Sequence, residues 1–261
     1  MAGCSEMDMK RYMSLPLLEV EKRELSEKIR SADALIREAF SISDRWYVSC
    51  SFGKDSVVVL HLVLKHKPDI PVVFINSGYC FPETYKVRDR IKHEWNINLI
   101  EIKQKVDYIE LTREFGFSCD RTPTQQRKIV RKLKKTLMDG FALSGQYTGC
   151  FWGLRAEESK GRRELFRFRG SLFRDKHGLY RCSPIWDWKW EDVWRYIKLN
   201  KLPYSEIYLK DKIIDKKQIR NNSWLTMDGA PEGYVVWLKY YYPEIYNRLV
   251  REFGGKMGEY V

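Results

Sequence analysis

Ser51-Phe52-Gly53-Lys54-Asp55-Ser56 is the stretch of this chain whose residue types and spacing say most about chemistry, and it stands between two apolar runs, RWYVSC and SVVVLHLVLKH. A strand ending at Cys50 and a helix beginning near Asp55 or Ser56 would aim backbone N–H groups and a positive helix end at one point, a seat for an anion. Gly53 is expected to supply a backbone conformation and a close approach that a side chain would block. Lys54 adds a point charge, and the hydroxyls of Ser51 and Ser56 can donate hydrogen bonds. Asp55 suits a phosphate seat only if a helix N-terminus or a bound magnesium ion accounts for it, which makes it the candidate metal ligand. Two better-known phosphate loops fail on spacing. A Walker A loop needs glycine at Val48 and Ser or Thr at Asp55, and a dinucleotide fingerprint needs three glycines where Gly53 stands alone. The plain alternative is a tight strand-to-helix turn with an exposed lysine.

The elements that must position this turn follow from the apolar period. From Leu17 to Phe40, Leu18, Leu25, Ile29, Ala32, Leu35, Ile36 and Ala39 recur at helical spacing, with charges on the other face. After the turn, SVVVLHLVLKH is long enough to be a buried helix despite its valines. IPVVFINSG reads as a second strand, FPETYKVRDRIKHEW as a helix with proline near its start, and INLIEI as a third strand. A fourth strand is expected at TGCFWGL. The helix KWEDVWRYIKLN and a closing helix VVWLKYYYPEIYNRLVREF add an aromatic-rich C-terminal layer. Such alternation builds βαβ units, so the fold class is α/β, a mainly parallel sheet with helices on both faces and helical additions at each end. Tyr240, Tyr241 and Tyr242 are expected to serve core and interface packing, and the half-apolar last helix allows a homodimer.

Composition bounds the partners. The 261 residues hold 47 Lys and Arg against 35 Asp and Glu, a net charge of +12 that favours anionic partners. No apolar run approaches the about 20 residues needed to cross a bilayer, and the N-terminus lacks a secretory pattern, so a cytoplasmic location is expected. Arg121 to Lys135 carries seven basic side chains and no acid, and RFRGSLFRDK and KDKIIDKKQIR add further basic clusters. The plain reading of these runs is solvated helix faces. With Phe166, Phe168 and Phe173 interleaved, the alternative is a tract for nucleic acid. The six cysteines, Cys4, Cys50, Cys80, Cys119, Cys150 and Cys182, form no C-x-x-C pair, so neither a zinc site nor a disulfide framework is signalled. Cys50 and Cys150 read as core residues. A cluster of Cys80, Cys119 and Cys182 around iron and sulfur has no spacing to support it.

SFGKDS, followed by INSGYCFPETY, WGLRAEES and SPIWDWKWEDVWRYI, resembles the phosphoadenosine phosphosulfate (PAPS) reductase family of the PP-loop ATP pyrophosphatase, or adenine nucleotide alpha hydrolase, superfamily. The similarity covers roughly residues 20 to 210. It implies a five-stranded parallel sheet with an adenine nucleotide, ATP or PAPS, across its carboxyl edge, and divides the chain into a helical extension over 1–42, a nucleotide-binding domain over 43–200 and a helical segment over 201–261. On this resemblance Ser51, Phe52, Gly53 and Ser56 grip phosphate, while Asn76, Ser77 and Gly78 border the adenosine. Lys54, Asp55 and Arg155 are the candidate catalytic residues, Asp55 with Mg2+, and Arg162 or Arg163 is a second arginine near the phosphates. The plain readings are a carboxylate-paired or surface Arg155 and helix-start acids at Glu157 and Glu158.

The sequence also departs from the family. Asn76-Ser77-Gly78 stands where the family has Asp-Thr-Gly, and no cysteine follows Cys182 to match the reactive C-terminal cysteine of the reductases. The leading expectation is therefore the superfamily's other chemistry. Cleavage of ATP between the α- and β-phosphates would release pyrophosphate and adenylate an acceptor, a nucleic acid or a protein, for sulfur or nitrogen transfer. Sulfonucleotide reduction through an internal cysteine, Cys80 or Cys119, and a non-catalytic nucleotide sensor or partner subunit are the alternatives.

Overall fold

The computed structural model describes residues 8–103, 107–116, 122, 124–125, 128, 141, 144–221, 223–225 and 233–254. Short helix α1 (Met9–Ser14) precedes the amphipathic α2 (Glu19–Ile42), which buries Leu25, Ala32, Ile36 and Ala39. The expected crossover units follow: β1 (Trp46–Ser49), α3 (Lys54–Leu64), β2 (Pro71–Asn76), α4 (Pro82–Glu94) and β3 (Asn98–Lys103). Next come α5 (Tyr108–Phe115), β4 (Gly149–Phe151), α6 (Lys160–Arg169), the hairpin β5 (Leu172–Arg174) and β6 (Tyr180–Cys182), and α7 (Trp190–Asn200). The sheet order is β3-β2-β1-β4-β6-β5. Five strands run parallel, as expected for this fold class, and β5 adds an antiparallel edge. This edge hairpin and α6 lie in a stretch that reads from sequence only as basic clusters, because three-residue strands carry no resolvable period.

Strand β1 alternates as a central strand must. Trp46 and Val48 enter the large core with α2 and α3, while Tyr47 enters a smaller cluster with Val73, Cys150, Phe141 and Tyr147 on the opposite face. Helix α3 is apolar nearly all round, with Val57, Val58, Val59, Leu60, Leu62 and Val63 buried, because it packs on β1, α2 and α7. Burial on several sides outweighs the modest helix propensity of its valines.

The closing aromatic run is two helices, α8 (Tyr234–Tyr241) and α9 (Pro243–Phe253), rather than one. Pro243 has no N–H to continue the ladder, and it drives Tyr242 out of helical geometry to φ −138° and ψ 61°. Tyr242 is buried against Phe81 and Trp237, whereas Tyr240 is exposed, so the tyrosine triplet is only partly core. One hydrophobic cluster extends from Met9 to Leu249. Among the described residues no helix is long and apolar enough to cross a membrane.

Strand β1 lies between β2 and β4. The chain leaves β1 toward β2 on one side, and the loop after β4 departs on the other. In a parallel sheet, such a reversal is where crevices open at the carboxyl ends of strands, and residues 50–56 and 152–158 follow those ends here.

Candidate functional site

The turn after β1 is held from below by Phe52, whose ring is buried edge-on against Phe74 with centroids 5.2 Å apart. The left-handed residue is Phe52, at φ 56°, and not Gly53, whose φ of −78° suits any residue. The conformational role expected of Gly53 is thus corrected, and a Cβ there would lie 3.3 Å from the Tyr208 hydroxyl. That hydroxyl accepts the Lys54 backbone N–H at 3.2 Å. Asn221 Nδ2 donates to the Phe52 carbonyl at 3.0 Å, and its Oδ1 accepts from Thr84 Oγ1 at 2.7 Å. Ser56 Oγ donates to the Gly53 carbonyl at 3.0 Å and lies 3.2 Å from Ser51 Oγ. Helix α3 begins at Lys54, capped by the backbone of Gly53. Across the crevice, a Cβ on Gly153 would sit 2.8 Å from the carbonyl carbon of Asp55 and 2.8 Å from the Ser56 nitrogen. Glycine at 153 therefore lets the chain after β4 pack directly against the first turn of α3.

Charge concentrates at this turn. Lys54 is 3% exposed and Arg155 is 2% exposed, and they share Asp55 between them: Lys54 Nζ lies 2.7 Å from Oδ2 and Arg155 Nε 2.6 Å from Oδ1. Arg155 Nη1 also donates to Glu157 Oε2 at 2.7 Å and to the Trp188 carbonyl at 3.3 Å. Glu157 accepts the Trp190 N–H at 2.6 Å, and Glu158 accepts the Arg155 N–H at 3.1 Å while pairing with Arg162. Both acids are thus partners of the arginines.

Burial would raise the Asp55 carboxyl, but Lys54 and Arg155 outweigh it and hold the group below the usual carboxylate range. Burial pushes Lys54 down, with Arg155 and Arg220 adding repulsion and Asp55 opposing it. Arg162 is likewise lowered, first by burial and then by Arg220 and Arg155, with Asp55 opposing. The turn therefore gathers four cations, Lys54, Arg155, Arg162 and Arg220. Arg163, by contrast, is exposed and makes no ion pair among the described residues.

Sequence reasoning singled out neither Gly153 and Asn221 nor Tyr208, and it noted Arg220 only inside a basic cluster. A strand-to-helix glycine after β4 was the signal for Gly153. The other three come from a segment with no recognisable period.

The loop after β2 differs. Asn76 donates from Nδ2 to Glu101 Oε1 at 2.7 Å, and its Oδ1 accepts from the Gly78 N–H at 2.8 Å and the Tyr85 hydroxyl at 2.9 Å. Ser77 Oγ accepts the Tyr79 N–H at 3.2 Å, and Gly78 takes φ 78°. An aspartate at 76 would face Glu101 with no proton to donate, which is the physical reason for the amide.

Of the candidate thiols, Cys119 lies outside the described residues, as does most of the Arg121–Lys135 run. Burial pushes the Cys50 thiol up to about 11 and raises those of Cys150 and Cys182. Cys80 is half-buried, 3.6 Å from Ser77 Oγ. Among the described residues no three His, Cys, Asp or Glu side chains gather to hold a metal ion. Both Asp55 oxygens are occupied by cations, and Glu157 and Glu158 are tied to arginines, so the donor set at the turn does not fit a divalent cation. Phe166 is buried and unavailable to a nucleic acid, while Phe168 is 73% exposed under the Arg167 guanidinium at 5.2 Å.

A model of the phosphoadenosine phosphosulfate reductase domain matches residues 45–248. The phosphoadenosine 5'-phosphosulfate reductase of Xanthomonas campestris pv. campestris (strain B100) is 31% identical over 165 residues, 62% of this chain and 65% of that protein. The corresponding reductase of Buchnera aphidicola subsp. Acyrthosiphon pisum is 32% identical over 162 residues, 62% of this chain and 64% of that protein. The chain thus spans less than two thirds of the length of these relatives. Among solved structures, Candida auris PAPS reductase in its phosphate complex superposes with a TM-score of 0.52 at 19% identity, covering 74% of this chain and 92% of that one. Candida glabrata FMN adenylyltransferase with FAD and inorganic pyrophosphate gives 0.52 at 15% identity, covering 76% and 66%. These two likenesses concern the fold alone. With the family's motifs brought to one crevice and its domain model spanning most of the sequence, the chain belongs to the phosphoadenosine phosphosulfate reductase domain family.

Proposed function

We propose that the chain is an adenine-nucleotide-dependent enzyme that holds a phosphate chain on residues 51–56 and cleaves ATP between its α- and β-phosphates. The observation that carries this reading is the gathering of Lys54, Arg155 and Arg162 at the N-terminus of α3, around the single carboxylate of Asp55. An acceptor oxygen attacks the α-phosphorus, the bond from that phosphorus to the bridging oxygen breaks, and its electron pair leaves on pyrophosphate. The acceptor's proton passes to water. The turn's amides and cations are fixed before the reaction and stabilise charge developing on the leaving group. Asp55 acts here as the brace that keeps Lys54 and Arg155 in position.

A nucleic-acid acceptor is supported by α6, where Arg163, Arg167 and Arg169 accompany the exposed ring of Phe168. The purified protein with ATP and acceptor is expected to release pyrophosphate, and Lys54→Ala to abolish that release. Orthophosphate as the sole product would refute the reading.

A second reading is favoured by the curated relatives, which are PAPS reductases. In it a thiolate attacks the sulfur of PAPS, the sulfur–oxygen bond breaks, adenosine 3',5'-bisphosphate leaves, and a second thiol releases sulfite. Cys80 is the half-buried thiol beside the loop after β2. Thiol-dependent sulfite release from PAPS that disappears in Cys80→Ser would select this reading over adenylation.

A further inference from the structure

The segment from Tyr208 to Asn221 lies beyond the four sequence motifs, yet it is fastened to the phosphate turn at two points. Tyr208 Oη accepts the Lys54 N–H at 3.2 Å, and Asn221 Nδ2 donates to the Phe52 carbonyl at 3.0 Å. The Asn221 amide is buried and has a partner at each end, since Oδ1 accepts from Thr84 at 2.7 Å. Its orientation is thereby fixed. Ile219 is buried as well, so Arg220 stands between two anchored neighbours while its own side chain remains exposed.

Arg220 differs from the other cations of the site in what it has left to give. Both Lys54 and Arg155 are engaged by Asp55, and Arg162 by Glu158. Arg220 donates from Nη1 to the Lys217 carbonyl at 2.8 Å and has no carboxylate partner among the described residues. Its charge nevertheless bears on Lys54, Arg162 and Tyr208. Arg220 is thus the one of the four cations with no carboxylate among the described residues, and an arriving phosphate would supply that anion.

We propose that Arg220 is a specificity-determining residue of the nucleotide site, lending its unpaired charge to the phosphate chain and so favouring a nucleoside triphosphate over a monophosphate. The inference rests on the reading that residues 51–56 seat nucleotide phosphates. It adds a fourth cation that the sequence motifs do not contain.

Calorimetry of the full chain with ATP, ADP and AMP at one ionic strength, comparing wild type, Arg220→Ala and Arg220→Lys, tests it. Arg220→Ala is expected to weaken ATP binding about tenfold and AMP binding less than about twofold, with Arg220→Lys recovering part of the loss. Because the side chain is exposed, the thermal midpoint of the variant should match that of the wild type, which separates the effect from misfolding. Unchanged ATP affinity in Arg220→Ala, or equal losses for ATP and AMP, would overturn the assignment while leaving the nucleotide site intact. A wild-type chain that binds none of the three overturns both the assignment and the reading beneath it.

Discussion

The turn after β1 and the loop after β2 end neighbouring parallel strands, yet they treat their polar groups in opposite ways. After β2 the accounts are closed: Asn76 uses both ends of its amide on Glu101, Gly78 and Tyr85, and Arg88 is paired with Glu101 and Asp89. After β1 they stay open. Lys54 and Arg155 are buried around one carboxylate, and Arg162 and Arg220 add charge beside them. A self-satisfied loop has little left with which to recognise a ligand. A turn with surplus positive charge is improved by one, and this contrast supports the proposal of a phosphate seat after β1 rather than after β2.

The strongest way to break this contrast is to remove its central acid. Asp55→Ala leaves the buried Lys54 without a carboxylate and Arg155 with Glu157 alone, and should cost roughly 3–5 kcal/mol of stability, read from urea unfolding. Added pyrophosphate should restore part of that loss, because it supplies the missing negative charge. If Asp55→Ala unfolds like the wild type, the turn is not the charged keystone described here. Acid titration adds a sign. The Asp55 carboxyl is held low in the folded chain, so its contribution is present above the ordinary carboxylate value of about 3.9 and disappears as pH falls through the lower folded value. Asp55→Asn should remove that part of the acid limb.

Gly153→Ala comes next. A methyl 2.8 Å from backbone atoms of Asp55 and Ser56 forces the strand end and the helix apart, at about 1–3 kcal/mol, and should weaken nucleotide binding as well as stability. Parallel calorimetry and thermal melts would show whether the two losses travel together. On the other side of the comparison, Asn76→Asp should cost about 1–3 kcal/mol, since Glu101 loses its donor and gains a like charge. A variant as stable as wild type at neutral pH would show that Glu101 does not select the amide. The smallest effect is expected for Ser77→Ala, which removes one acceptor from the Tyr79 N–H and should cost about 0.5–1 kcal/mol. A larger loss there than at Asp55 would invert the comparison.

Much of the scaffold was legible because periodicity is a local property. The charges between the apolar positions of α2, the unbroken apolar run of α3 and the β-branched strands around them led directly to a parallel sheet. The hairpin β5–β6 was not legible, since three residues per strand give no period, and neither was the break at Pro243, where an aromatic run masked a helix boundary. In the site, Lys54 and Asp55 could be named from the turn itself, and Arg155 with Arg162 or Arg163 from the family resemblance, but their arrangement could not. Asp55 suggested a metal ligand, and in the fold its two oxygens are taken by Lys54 and Arg155 instead.

By itself, the sequence determined that an apolar strand, a glycine-lysine turn and an apolar helix follow one another, because neighbouring residues set strand, turn and helix. Tertiary structure alone decided which groups meet at that turn. Arg155 reaches Asp55 across 100 residues, Tyr208 reaches Lys54 across 154, and Asn221 reaches Phe52 across 169. Contacts at such separations depend on how the sheet orders its strands and where the C-terminal segment returns, and no local pattern of side chains encodes either.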